Sequence, residues 1–179
     1  MIRAPFDRPE VLRKLRPAFQ AQPIHNLLLP AACDPAALPK SRFRSFDIAH
    51  RGKYDLCELH DRQLATELRE FAEEICGARL RSGELLLQRF RRGGYALFQD
   101  DASRRLERGI ELTLDLSRTA AGPPAVYQRY AEKLMVPQMP GLVALVERTE
   151  DVYRYDRYFP AEVGRAEVLR LRASFRFAG

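Results

Sequence analysis

Residues 93–101 read GGYALFQDD, a short strand-like run that stops on polar side chains and gives way to basic sequence. Side chains alternate between the two faces of a strand, so Gln99 and Asp101 share one face and Asp100 takes the other. Two donors two residues apart can reach a single metal ion, and a third then has to arrive from a later strand lying nearby in space. Other metal ligands are sparse. The histidines are His25, His50 and His60, all upstream of that pair. Cys33, Cys57 and Cys76 are widely spaced and form no C-x-x-C, which argues against a disulfide framework or a zinc knuckle and for reduced, partly buried thiols. Cys57-x-x-His60 has metal-like spacing but no second pair to complete it, and His60 abuts Asp61 at a helix start, where capping suffices. No G-x-S-x-G, P-loop or dinucleotide fingerprint is present.

The elements that must hold these residues follow from periodicity. Val11, Leu12, Leu15 and Phe19 recur at helical spacing over 8–20, with Asp7 as N-cap and Pro17 bending or ending the helix. IHNLLLP (24–30) reads as a strand, and CDPAALPKS as a short helical turn with an Asp cap and Pro at its first position. RFRSFDIAH (42–50) alternates like a strand. The clearest helix is HDRQLATELREFAEEICGARL, where Leu64, Leu68, Phe71 and Ile75 form one apolar stripe and Gly77 closes the C-terminus. From about residue 84 the period becomes strand-like: ELLLQRF, YALFQ, IELTLDL, AVYQRY, LVALVE, VYRYDRYF and EVLRLRASFRF, punctuated by Gly and Pro. Helices followed by many antiparallel strands predict an α+β chain built round a sandwich, barrel or jelly roll. A length of 179 residues predicts one domain.

The 46% hydrophobic content predicts a folded globule. No apolar run approaches the roughly 20 residues that cross a membrane, and the start MIRAPFDRPE lacks the apolar core of a secretory signal, so the expected location is cytoplasmic. Net charge is 30 − 24 = +6. The basic residues are nearly all arginine, with lysine only at Lys14, Lys40, Lys53 and Lys133. They are interleaved with acids, as in DDASRRLERGIE, which argues for a solvated surface over a stripe that tracks phosphates.

Taken in order, these segments resemble the iron(II)/2-oxoglutarate-dependent oxygenases, in particular the prolyl-4-hydroxylase-like branch. LQRFRRGGYALFQDD is similar to that family's strand-turn-strand, in which a Gly-rich turn precedes a Tyr and then a His-x-Asp pair. RGIELTLDLS is similar to the next strand, VPQMPGLVALVE to a Pro-containing lead into a strand near the distal His, and LRASFRF to the last core strand. The resemblance runs from about residue 8 to the C-terminus. It implies a double-stranded β-helix (jelly roll) over 84–177 with N-terminal helices, in a helix-rich part over 1–80, packed on one sheet. It also implies Fe(II) and 2-oxoglutarate as cofactors. Asp101 then matches the carboxylate ligand, Arg172 the co-substrate arginine and Tyr95 an aromatic that helps hold 2-oxoglutarate, with Arg170 an alternative to Arg172. Gln99 stands where the first His would be, and Tyr153 is the best match for the distal His.

A Gln-Asp-Tyr set would hold ferrous iron poorly. Gln offers a neutral amide oxygen in place of an imidazole nitrogen, and a phenol with a pKa of about 10 must lose its proton and then favours the ferric ion. Loss of the metal is the simpler reading. If Arg172 points into the barrel, burial requires an anionic partner, either a small carboxylate or Asp101. The expected function is thus a divergent oxygenase-like protein without the family's iron-dependent hydroxylation, binding a small carboxylate or a partner. Two alternatives stay open. One is an active 2-oxoglutarate-dependent dioxygenase with a non-standard metal site that recruits His50 or His60. The other is a basic nucleic-acid-binding module, against which the scattered arginines weigh. Substrate and oligomeric state are not specified by the sequence.

Overall fold

The apolar stripe over 62–76 forms α2 (Arg62–Cys76), in which Leu64, Leu68, Phe71, Ala72 and Ile75 are buried. Its ends follow from local chemistry. The Asp61 carboxylate accepts the Leu64 amide at 2.9 Å, and Gly77 takes the left-handed conformation (φ 77°) that lets its own amide close on the Glu73 carbonyl. The structure, a computed structural model, describes residues 1–37, 41–97, 108–120, 122–160, 164 and 166–179.

The first helix, α1 (Pro9–Gln20), ends where expected and differs from expectation at its start. Its N-cap is Arg8, which makes no side-chain cap, so Pro9 at the first turn starts the helix without help from Asp7. Pro17 lies inside the helix and does not end it. One backbone bond is forfeited there, while Leu12 and Phe19 are buried on either side of the break, each contributing about 1.5–3 kcal/mol. The segment expected as a helical turn is a tight turn at Pro35–Ala36, with the Asp34 carboxylate accepting the Ala36 amide at 3.0 Å. Asp34 therefore satisfies a turn rather than a helix.

Eleven strands are present among the described residues: β1 (Asn26–Leu29), β2 (Arg44–Ile48), β3 (Gly52–Glu58), β4 (Leu80–Phe90), β5 (Tyr95–Ala96), β6 (Gly109–Asp115), β7 (Ala125–Arg129), β8 (Glu132–Val136), β9 (Val143–Arg148), β10 (Tyr153–Asp156) and β11 (Val168–Phe177). Their ladders are antiparallel and run β1-β9-β6-β11-β4-β3-β5-β10-β7-β8, with β2 hairpinned onto β3. The sequence reading did not register β3 or β8, and it started β4 later than Leu80. The sheet folds back on itself where β5 joins β3 to β10, giving a nearly closed barrel of two walls. The Arg91–Gly94 turn between β4 and β5 needs a positive φ, which Gly93 supplies at 79°. This is the expected Gly-rich strand-turn-strand.

Directly paired residues of an antiparallel ladder share a face, so register assigns the two faces of β11. Leu171 and Ala173 pair with Leu87 and Leu85 of β4 and with Leu114 and Leu112 of β6; all belong to the core packed against α1 and α2. The helices therefore cover one sheet from outside, as expected. The opposite face carries Val168, Arg170 and Arg172, which pair with Phe90, Gln88 and Leu86. That face looks into the barrel. Apolar clusters fill its ends: Phe90, Phe159 and Val168 at one, and Tyr127, Val136, Ala144 and Val146 at the other. The second cluster joins β7 and β8 to β9, which shows the two walls stacked face to face.

Candidate functional site

Between the two apolar ends the barrel interior is ionic. Asp156 at the end of β10 is fully buried; it pairs with the Arg154 guanidinium at 3.1 Å and with the Nη1 of Arg170. Arg154 also reaches Glu111 of β6 at 3.1 Å, and the second oxygen of Glu111 takes Arg148 at 2.7 Å. The Tyr127 hydroxyl donates to Glu111 at 2.6 Å. On the far side, Arg170 donates to the Gln138 side-chain carbonyl at 3.0 Å and to the Pro123 backbone carbonyl at 3.1 Å. The Gln138 amide in turn donates to Asp115 at 2.9 Å and to the Ser117 hydroxyl at 2.7 Å. Asp115 is completed by the backbone amides of Ser117 and Met139. One continuous chain, Arg148–Glu111–Arg154–Asp156–Arg170–Gln138–Asp115, thus ties four strands together.

Arg172 sits on the same face as Arg170 and is 8% exposed, yet its guanidinium makes no ion pair or hydrogen bond among the described residues. Its direct partner across the β6–β11 ladder is Thr113, whose buried hydroxyl is also without a hydrogen-bond partner there. The Gln88 side-chain carbonyl, on the neighbouring strand, is likewise orphaned. The interior counts four guanidiniums (Arg148, Arg154, Arg170, Arg172) against three carboxylates (Glu111, Asp115, Asp156), an excess of one positive charge among the described residues.

The pKa directions follow this arrangement. Burial by itself would raise Glu111, but Arg148, Arg154 and Arg172 together outweigh it and hold the carboxyl down at about 2. Burial, reinforced by the Glu111 charge, pushes the Tyr127 phenol far above its ordinary range and keeps it a donor. Tyr54 is raised by burial, with Arg172 working against the rise. Burial lowers Arg170, opposed by Asp156.

The expected site residues fall as follows. Arg172 is in the barrel interior. Tyr95 is half-buried on β5, opposite Lys53 of β3. Tyr153 begins β10 at 47% exposure, and the two β10 residues that alternate with it and with Tyr155 into the interior are Arg154 and Asp156. Gln99 and Asp101 lie outside the described residues. Asp156, Glu111, Arg154 and Arg148 were missed by sequence reasoning. The alternation Arg154–Tyr155–Asp156 carried the signal, but charges at every second position of a strand read as a solvent face.

No protein-family model matches the sequence, and no curated protein matches it significantly. Solved structures do match. A 2OG-Fe(II) oxygenase-family oxidoreductase from Burkholderia pseudomallei superposes with a TM-score of 0.65 at 13% identity, over 94% of this chain and 91% of that one. A prolyl hydroxylase from Trichoplax adhaerens, crystallised with a hypoxia-inducible-factor peptide, gives 0.67 at 8% identity over 94% and 90%. A Pseudomonas putida prolyl-4-hydroxylase gives 0.57 at 15% identity over 97% and 88%. The chain therefore has the double-stranded β-helix fold of the 2OG-Fe(II) oxygenases. Among the described residues no helix is long and apolar enough to cross a membrane.

Do the residues present fit the iron and 2-oxoglutarate of those neighbours? Among the described residues, nothing fits iron. His50 and His60 are exposed, and His25 is held at 2.6 Å by Glu147, whose neighbours on β9 pack under the helices. The chain has no other imidazole. Asp156 is already committed to two guanidiniums, and four interior arginines make a field that repels a dication. A carboxylate fits better. Arg170 is engaged through both terminal nitrogens, whereas Arg172 and the Thr113 hydroxyl both lack an acceptor among the described residues.

Proposed function

We propose that this chain is a divergent 2-oxoglutarate oxygenase-like protein that binds a small carboxylate in the barrel without carrying out iron-dependent hydroxylation. One observation carries the reading: each of the other three interior arginines is in direct ion-pair contact with a carboxylate, whereas Arg172 makes no such pair among the described residues and acts on Glu111 only at longer range. A buried guanidinium without a counter-ion costs several kcal/mol, so an anion belongs beside it. The Thr113 hydroxyl can donate to one carboxylate oxygen while Arg172 takes the other, a recognition mode that needs no metal. Of the two arginines that the sequence offered for this role, Arg172 is favoured because Arg170 spends its donors on Asp156, Gln138 and Pro123.

Isothermal calorimetry of metal-stripped protein with 2-oxoglutarate tests this. The expected result is binding in the micromolar range, about −8 kcal/mol, unchanged by Fe(II) and weakened at least tenfold in Arg172→Met. Absence of binding by 2-oxoglutarate and by a panel of small mono- and dicarboxylates would overturn the proposal.

A further inference from the structure

On the outside of the molecule, the N-terminal segment and the two helices enclose a groove of about 450 Å³. That lies within the ~300–1,000 Å³ that buries a ligand or an anchoring side chain. Ile2, Phe6, Leu12, Leu68 and Phe71 give it an apolar floor. Its charged side chains have one sign: Asp7, Glu67, Glu70, Glu73 and Glu74 take part, and no lysine or arginine does. Some of these acids are engaged within the protein. Glu74 binds Arg13 at 2.7 Å, while Glu73 binds Arg69 at 3.4 Å and caps the Leu80 amide. Glu67 has only a neutral contact from Gln63, Glu70 lies 3.6 Å from Arg69, and Asp7 has no ion pair among the described residues.

We propose that this groove docks a basic amphipathic helix of a partner protein. Its apolar anchors would enter the Phe6–Leu12–Phe71 floor, and its lysines or arginines would meet Asp7, Glu67 and Glu70. Charge complementarity decides the occupant. The chain as a whole carries +6, so an apolar groove whose rim carries acids only partly paired, with Asp7 and Glu67 in no ion pair among the described residues and Glu70 only loosely held by Arg69, is the exception on its surface and attracts what the rest of the molecule repels. Spacing favours a helical occupant. Glu67, Glu70 and Glu74 repeat along α2 at i, i+3 and i+7, spanning about 10 Å, and a helix laid in a groove presents its anchors and flanking cations with that same period.

The test is fluorescence anisotropy with a labelled amphipathic helical peptide of leucine and lysine, and with its leucine–glutamate counterpart. The variant is Glu67→Lys combined with Glu70→Lys, both exposed positions that leave the core intact, with the fold checked by circular dichroism. The structure predicts that the lysine peptide binds, that added salt weakens it, that the double variant loses roughly tenfold or more, and that the glutamate peptide does not bind. Equal binding to the double variant, equal binding of the glutamate peptide, or no binding of either would overturn the proposal. A concentration-dependent dimer in sedimentation velocity that disappears in the double variant would overturn it in favour of a second copy of this chain.

Discussion

Replacing Asp156 by asparagine keeps the shape of the side chain and removes its charge from the centre of the ionic chain. Asp156 is fully buried and pairs with both Arg154 and Arg170. After the change Arg154 keeps Glu111 at 3.1 Å and Arg170 keeps Gln138 at 3.0 Å, but one carboxylate is lost between two desolvated guanidiniums. Breaking a buried pair from one side costs about 3–5 kcal/mol, a large share of the roughly 5–15 kcal/mol that holds a domain folded. For a chain of this size each kcal/mol moves Tm by about 2–4 °C, so Asp156→Asn should melt about 6–20 °C lower. Urea unfolding followed by circular dichroism measures the change as a lower midpoint at unchanged slope. The double variant Asp156→Leu/Arg170→Met removes both charges, and it should lose less than the two single variants together, because an apolar pair of similar volume does not need its charges satisfied. A loss of less than about 1 kcal/mol in Asp156→Asn would refute the reasoning, since that is the size of an exposed ion pair.

Other perturbations report on the same architecture. The Glu111 carboxyl is depressed from an ordinary 4.5 to about 2, so its contribution is present above pH 4.5 and is lost as pH falls through that interval; acid unfolding of Glu111→Gln should show a shallower pH dependence there than the parent. Burial pushes the Cys33 thiol up to about 12, so a disulfide reagent at pH 8 should label it only after unfolding, as a mass-mapped time course would show. Gly109→Ala places a methyl on the Phe175 carbonyl across the β6–β11 ladder, and denaturant titration should show a loss of about 1–3 kcal/mol. Asp61→Ala removes the cap of α2 and should cost about 1 kcal/mol in the same assay.

How far the sequence foretold this depended on which physical signal dominated locally. The helix over 62–76 carried stripe, cap and closing glycine together, and all three agree with the structure. In its counterpart near the N-terminus, of the two outcomes expected at Pro17, bending or ending, the helix does not end there, because tertiary burial of Phe19 outweighs one missing backbone bond. β3 escaped notice since GKYDLCE alternates poorly: one edge pairs with the β2 hairpin and the other with β4 and β5. The order of strands suggested a sandwich, barrel or jelly roll, and the resemblance to the oxygenase family narrowed that to the double-stranded β-helix. The interior network was not legible in the same way. In VYRYDRYF and EVLRLRASFRF, period-two alternation is evident, but arginine and aspartate at the alternate positions normally mark the wet face. Here they mark the dry one, because the charges pair across the barrel with strands distant in sequence, Asp156 with Arg170 and Arg154 with Glu111. Only the closure of the sheet brings those partners together.

On the proposed reading, Arg172 serves an anion in a barrel that does not hold iron. Anaerobic calorimetry on metal-stripped protein, titrating Fe(II) and 2-oxoglutarate separately and together, addresses that directly. The account predicts carboxylate binding that is indifferent to iron and lost in Arg172→Met, with no measurable uptake of Fe(II). Micromolar Fe(II) binding strengthened by 2-oxoglutarate, or conversion of 2-oxoglutarate to succinate on admission of oxygen, would contradict it.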